Sequence, residues 1–485
     1  MTSTFVDDGH ACAAARAARP AQVPAAKALY FSLLDNPAGC RASASAFLRA
    51  QIEVARAEPC ELPDAVWQLQ GWIQGRAEAV GIAYREYLAA RKNGAPRRYF
   101  SNKAHALYFL KGVAPTKLVD GAWLYGTLGR WNHPDFHPLI KTYLEELGDG
   151  VPDKNHVTLY RRLLATHGCE HWETLPEDHF VQGAIQLALA HEADAFLPEV
   201  VGYNLGYEQL PLHLLITAYE LNELGIDPYY FTLHVTVDNA GSGHAHKAVQ
   251  ALAHLMAQSG DPAAFFARVL DGYRLNDLGA CTTSVIGAFD LEAELVEILT
   301  AKAAIGRNMH SDYCRVAGRS VNDWLADATQ IPAFLTALED AGWIQRGADV
   351  EHSRFWRLIQ GERAEMFGVF SSYEQQVLRD WIMTPRDAGA TARTDRVLSH
   401  RARQRALDSL TQHAPRSGYP ERGLIRRRPA GAGGDTELHQ LEERVANAAG
   451  KVEAMAMLAR LMSPSVHHTA IGLMATRMYS RLLDA

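Results

Sequence analysis

Tyr229-Tyr-Phe-Thr-Leu-His234-Val-Thr-Val-Asp238-Asn-Ala-Gly241-Ser-Gly243-His244-Ala-His246 is the segment on which the fold class turns. Its Thr232-Leu-His-Val-Thr-Val run is the best strand candidate in the chain, because β-branched residues alternate there with other types. Its neighbours favour a buried helix, and as a helix it places His234 and Asp238 four apart on one face. An imidazole and a carboxylate so disposed can serve one metal ion. His244 or His246 can add a further ligand after the glycine irregularity. The plainer alternative is a capping Asp238 and a core-filling His234.

Outward from this segment the helical reading holds. Residues 65–80 and 451–462 repeat apolar positions at three- and four-residue intervals, the pattern of amphipathic helices. Breakers at Gly94-Ala-Pro96, Gly148-Asp-Gly-Val-Pro152, Gly225-Ile-Asp-Pro228 and Gly260-Asp-Pro262 divide them with short turns. The class expected is all-α, a bundle with short connections. From Pro385 to about Asp435, Gly, Pro and Thr mix with many arginines, including Arg426-Arg427-Arg428, which reads as a basic, partly disordered connection.

Composition narrows the function. The 485 residues are 48% hydrophobic and 21% charged, so disorder is not the main theme. A net charge of −7, from 55 acidic against 48 basic residues, argues against a nucleic-acid binder. Six scattered cysteines without a C-x-x-C pair fit reduced thiols in a cytoplasmic protein rather than a structural zinc site. Asp7, Asp8 and His10 interrupt any signal-peptide core, and no apolar run reaches the roughly twenty residues of a bilayer span. Dinucleotide, P-loop, zincin and nucleophile-elbow motifs are missing.

Carboxylates in apolar company precede the His234 segment. Glu145 and Glu146 end one helix, and His156 begins the next across a Gly/Pro turn. In Phe196-Leu-Pro-Glu199-Val-Val-Gly-Tyr-Asn-Leu-Gly-Tyr-Glu208, two carboxylates interrupt an otherwise apolar helix. Nine residues at roughly 100° each set them half a revolution apart, so both cannot face one core. A buried carboxylate needs a metal, a base or a donor. Glu, His, Glu, His, Asp and His on successive helices form the ligand inventory of a carboxylate-bridged di-iron site. His133 and His137, beside prolines, read as loop packing rather than a second metal site.

With those blocks, and with Gly94-Ala-Pro-Arg-Arg-Tyr-Phe, His105-Ala-Leu-Tyr-Phe-Leu and Ala114-Pro-Thr-Lys-Leu-Val-Asp-Gly-Ala-Trp-Leu, the stretch from about 95 to 251 resembles the haem-oxygenase-like di-iron oxidases and oxygenases, an iron-containing redox enzyme family. The resemblance implies a haem-oxygenase-like helical bundle with added N- and C-terminal helical regions. It divides the chain into a helical region at 1–94, the di-iron domain at 95–270, a helical extension at 271–384, a basic flexible linker at 385–435 and C-terminal helices at 436–485. Carried over residue by residue, it implies metal ligands Glu146, His156, Glu208, His234, Asp238 and His244, with Glu208 and Asp238 also catalytic. The family commonly spaces the last Asp and His by three, which falls here on Gly241; His244 is the nearest His and needs a helix break to turn inward. Asp120 and Glu199 are further ligand candidates, Glu199 as the alternative to Glu208 and Asp120 in competition with a capping or Lys117-pairing role.

The resemblance further implies two Fe(II) ions and O2 as cofactors, and no haem. The activity implied is oxidation of a small molecule in specialised metabolism, by N-oxygenation, oxidative C–C cleavage or desaturation. An amine or amino-acid-like carboxylate is the substrate expected, with Arg97, Arg98, Lys103 or Lys117 as anchors. Tyr203, Tyr207, Tyr229 and Tyr230 line or support the cavity. An external electron donor and a homodimer are compatible partners; a membrane or nucleic acid is not expected. Two alternatives stay open: a non-catalytic helical interaction protein, and a same-fold oxidase using Mn/Fe.

Overall fold

A computed structural model describes residues 23–237, 243–360, 364–386 and 434–485. Asp238 and nearly all of the arginine-rich connection lie outside the described residues. Among the described residues the only strands are Arg315–Val316 and Arg319–Ser320, a two-stranded antiparallel ribbon. All other regular structure among the described residues is helical, including Tyr229–Val237, where burial of Tyr230, Phe231 and His234 accompanies the helix despite the β-branched composition. No described helix is long and apolar enough to cross a membrane.

The buried side chains form two apolar clusters. One gathers the N-terminal helices Ala26–Asp35, Arg41–Ala55 and Val66–Lys92, the central helices His137–Glu146, Val181–Glu192, Leu197–Tyr207 and His244–Ala257, and the C-terminal helices. The other gathers Lys103–Gly112, His156–His167, Leu212–Glu223, Tyr229–Val237 and the helices between residues 282 and 383. The C-terminal segment is tied back to the centre by polar contacts as well. Tyr143 donates to the Met462 carbonyl at 2.6 Å, and Tyr479 to the Leu128 carbonyl at 2.7 Å.

The seam between the clusters positions the site. Leu118 belongs to one cluster and Val119 to the other, leaving Asp120 between them. Tyr143, Leu144 and Leu147 anchor the Glu146 helix in the first cluster, whereas Val157 and Tyr160 anchor the His156 helix in the second. Leu197–Tyr207 packs closely on Pro262–Arg274 through glycines: a Cβ on Gly202 would come within 2.0 Å of the Val269 carbonyl oxygen, and one on Gly272 within 2.2 Å of the Glu199 carbonyl oxygen. That contact holds the end of the helix from which Glu208 emerges.

Candidate metal centre

Glu146 closes its helix, and the chain turns through Gly148, Asp149 and Gly150, all at positive φ, before His156 opens the next. Asn155, fully buried, staples the two ends together. Its Oδ1 accepts from Thr158 N at 2.9 Å as the helix cap, and its Nδ2 donates to the Leu147 carbonyl at 3.2 Å. The same Nδ2 lies 3.1 Å from His467 Nδ1. His467 therefore presents a lone pair on Nδ1, and burial depresses its pKa to about 3.

Two groups of ligand atoms meet at Glu146. Asp120, Glu146, His156 and His234 form the first; Glu146, Glu208 and His244 form the second; all six residues are buried. Glu146 Oε2 lies 2.5 Å from His156 Nδ1, and Oε1 lies 3.3 Å from His244 Nδ1. A carboxylate facing a different group with each oxygen has the disposition of a bridging ligand. Asp120 Oδ2 stands 3.3 Å from His234 Nε2 and 3.6 Å from His156 Nδ1. Glu208 Oε2 stands 2.9 Å from His244 Nδ1.

The ring orientations show which imidazole nitrogens face the two groups. His234 Nδ1 lies 2.8 Å from the Tyr230 carbonyl on its own helix, so Nδ1 carries the proton and Nε2 faces Asp120. His244 Nε2 lies 2.7 Å from Glu145 Oε2, and Glu145 is in turn held by Lys247 at 2.5 Å, leaving Nδ1 for the second group. Among the described residues, His156 Nδ1 and His234 Nε2 are fully buried yet make no hydrogen bond of sound geometry. Two such nitrogens among carboxylates are what a cation would satisfy. Three carboxylates and three imidazoles suit iron, a hard-to-borderline ion, and the residues present fit the pair of irons that the resemblance implies.

Electrostatics match this reading. Burial pushes the Asp120 carboxyl up, but Lys117 and the His156 and His234 rings outweigh it and hold it well below the usual range. Burial disfavours a charged His156, yet Glu146 and Asp120 outweigh that and push its pKa up to about 10. Tyr207 and Tyr230 donate to opposite oxygens of Asp120 at 3.0 and 2.5 Å, and burial first, then the Asp120 charge, pushes both phenols well up. Gly121 makes room beside them. At φ +79°, its added Cβ would lie 2.8 Å from Glu146 Cβ.

Several sequence expectations fall elsewhere. Glu199 joins neither group: Arg268 grips both its oxygens, Nε at 2.7 Å and Nη2 at 2.6 Å. Glu208 sits just beyond its helix, at the C-cap, where the 100° step no longer governs its direction. Asp238 is not among the described residues, whereas Asp120 stands in the first group and is also 3.9 Å from Lys117. His246 contacts Gln70 and Gln250. His137 Nε2 lies 2.8 Å from the Trp131 carbonyl, a loop contact. Arg97 is spent on the Phe100 and Ser101 carbonyls. Tyr203 donates to Gln182 at 2.8 Å. The sequence reading assigned no supporting role to Glu145, Asn155 or His467: the Asn155–His467 and Glu145–His244 contacts span 312 and 99 positions, whereas the Asn155 cap on Thr158 is local.

A cavity of about 490 Å3 reaches the centre, with His234, Tyr207 and Lys117 on its wall, a size suited to a small molecule. Residues 107–277, which carry every ligand candidate described above, match the model of a family described as iron-containing redox enzymes. No curated protein and no solved structure matches the chain significantly. The family and the buried carboxylate–histidine cluster together support an iron-dependent oxidoreductase.

Proposed function

We propose that this chain, whose residues 107–277 match the iron-containing redox enzymes, is a non-haem di-iron enzyme that uses O2 to oxidise a small molecule bound in the adjoining cavity. The observation that carries the reading is Glu146, which turns one oxygen to each of two buried ligand groups. Asp120, His156 and His234 would hold one iron, and Glu208 and His244 the other. Bound there, a reduced iron pair would supply electrons to O2, which takes them readily from a transition metal and only slowly from an organic molecule.

The protein's own groups do the rest. The hydrogen bonds from His234 to the Tyr230 carbonyl and from His244 to Glu145 fix each ring's tautomer and heading. Tyr207 and Tyr230 keep two O–H donors on Asp120, so a proton stands at each of its oxygens without leaving the phenols. Burial of all six ligand residues limits access to the centre, with the cavity that His234 lines as an approach from outside.

The test is anaerobic loading with Fe(II), followed by rapid mixing with O2 while visible absorption and dissolved O2 are recorded. Stoichiometric O2 uptake with a transient visible band, both lost in His234→Ala, is the result expected. Iron uptake with no response to O2 would refute the proposal.

A further inference from the structure

We propose that the cavity between the N-terminal helices and the turn at residues 463–465 is a second binding site, apart from the metal centre, and that it takes a small phosphomonoester on Arg460. The inference goes beyond the di-iron reading and stands independently of it.

Three parts of the chain wall this cavity, whose volume of about 440 Å3 suits a small molecule. Pro37 and Arg41 come from the N-terminal helices, Tyr125 and His191 from the centre, and Arg460 and Ser463 from the C-terminal segment. None of the six residues of the metal centre lines it.

The polar groups on the wall fall into two sets. Arg41 and Asp194 are already claimed, Arg41 Nε by Glu192 Oε1 at 2.9 Å and Asp194 Oδ1 by Arg130 Nη2 at 2.6 Å. The rest are not. Among the described residues the Arg460 guanidinium has no ion-pair partner, and neither the Tyr125 hydroxyl nor the His191 ring has a hydrogen-bond partner. The Ser463 and Ser465 hydroxyls meet each other at 3.4 Å, long for a hydroxyl pair. The Tyr125 and His191 rings touch edge to face, 5.5 Å between centroids. Burial raises the Tyr125 phenol, and the nearby Arg460 charge works against that rise.

One unmatched positive charge and a set of groups that mostly donate call for an oxyanion. A guanidinium forks onto carboxylate and phosphate alike, so the remaining groups decide. A carboxylate brings two oxygens and one charge, whereas a phosphomonoester brings three terminal oxygens and a charge of about −1.5 to −2 at neutral pH. The larger acceptor count matches Arg460, two serine hydroxyls and a phenol. His191, held neutral because burial pushes its pKa down to about 4, keeps one donor and one acceptor. Its acceptor nitrogen can take the proton of a singly protonated phosphate, which a carboxylate does not carry. Leu33, 1% exposed, and the buried Pro464 add an apolar floor for the organic part.

The test is titration calorimetry of metal-free full-length protein at neutral pH with phenyl phosphate, benzoate and inorganic phosphate, which also keeps the anion off iron. Phenyl phosphate is expected to bind more tightly than either of the others. Arg460→Met should weaken it about tenfold, the worth of one hydrogen bond to a charged group, and Tyr125→Phe about threefold, the worth of a neutral one. Arg460 is exposed, so the urea midpoint of unliganded Arg460→Met should match wild type, and its Fe(II) uptake should match as well. No binding of phenyl phosphate, or binding undiminished in Arg460→Met, overturns the proposal. Benzoate binding as tightly as phenyl phosphate overturns the choice of phosphate, and inorganic phosphate doing so overturns the choice of an ester. A wild type that takes up no iron refutes the di-iron reading and leaves these affinities to be read as they stand.

Discussion

Glu145 and Glu146, consecutive in the chain, approach opposite nitrogens of the same His244 ring: Glu145 Oε2 lies 2.7 Å from Nε2, and Glu146 Oε1 lies 3.3 Å from Nδ1. One carboxylate orients the imidazole from outside, and the other shares the metal-facing side. Neighbouring helical residues diverge by roughly 100°, which is how two adjacent glutamates can flank one ring rather than crowd one ion.

Substitutions at the two glutamates should therefore differ in kind. Glu146→Gln removes the group common to both sets and should lower iron uptake from two ions per chain to well below one. Glu208→Gln should spare the set of Asp120, His156 and His234 and leave about one ion. Glu145→Gln should keep both ions but weaken the second by about 10- to 100-fold, the usual effect of losing a partner that orients a ligating histidine. Anaerobic Fe(II) titration with elemental analysis distinguishes the three.

Gly121→Ala should be disproportionately damaging. The position has φ +79°, and the new methyl would press on Glu146 at 2.8 Å. Backbone strain and overpacking together should cost about 2–4 kcal/mol. Urea unfolding should show the loss, and the surviving folded protein should bind less iron than wild type because Glu146 is displaced.

Iron uptake should release a proton. His156 in the metal-free protein has its pKa pushed up to about 10, so the ring is protonated at pH 7.5 and must lose that proton to ligate. Fe(II) affinity should accordingly rise with pH toward 10. An indicator dye in weakly buffered anaerobic solution should report at least one proton per chain, with His244, whose two nitrogens both face carboxylates, as a second source, and no release would contradict the assignment. The same shift makes the metal-free His156 ion pair stabilising below the unfolded value near 6.5 and progressively lost as pH rises toward 10.

The scaffold should respond to acid in the opposite sense. Burial depresses His467 to about 3, and His191, His213 and His468 to about 4. The unfolded chain takes up protons near pH 6.5 that these folded rings refuse, so their contribution is present above 6.5 and lost as pH falls toward 3–4. His467→Gln, which keeps an acceptor for Asn155 but cannot titrate, should flatten the fall of the urea midpoint between pH 6.5 and 4. A profile identical to wild type would show that His467 is not buried neutral.

The helical class was legible because apolar residues recur at helical intervals along most of the chain, and even the β-branched run at Thr232 sits inside helix Tyr229–Val237. Ionisable residues in apolar company drew attention to the helices, but the choice of Glu146, His156, Glu208, His234 and His244 came from the resemblance to the iron-containing redox enzymes, carried over residue by residue. The choice between Glu208 and Glu199 was less accessible: helix geometry says only that they diverge, and Arg268, which claims Glu199, lies 69 residues away. The same limit hid the supports. Asn155 meets His467 across 312 positions, and Glu145 meets His244 across 99, pairings that arise from tertiary packing and leave no local pattern.

The most direct measurement is the iron stoichiometry of the full-length protein under anaerobic Fe(II) titration, with His234→Ala and Glu146→Gln alongside. Two ions per wild-type chain, falling by about one in His234→Ala and by more than one in Glu146→Gln, is the result predicted. No tightly bound iron in wild type, or a stoichiometry that neither substitution changes, would contradict a metal centre built on Glu146.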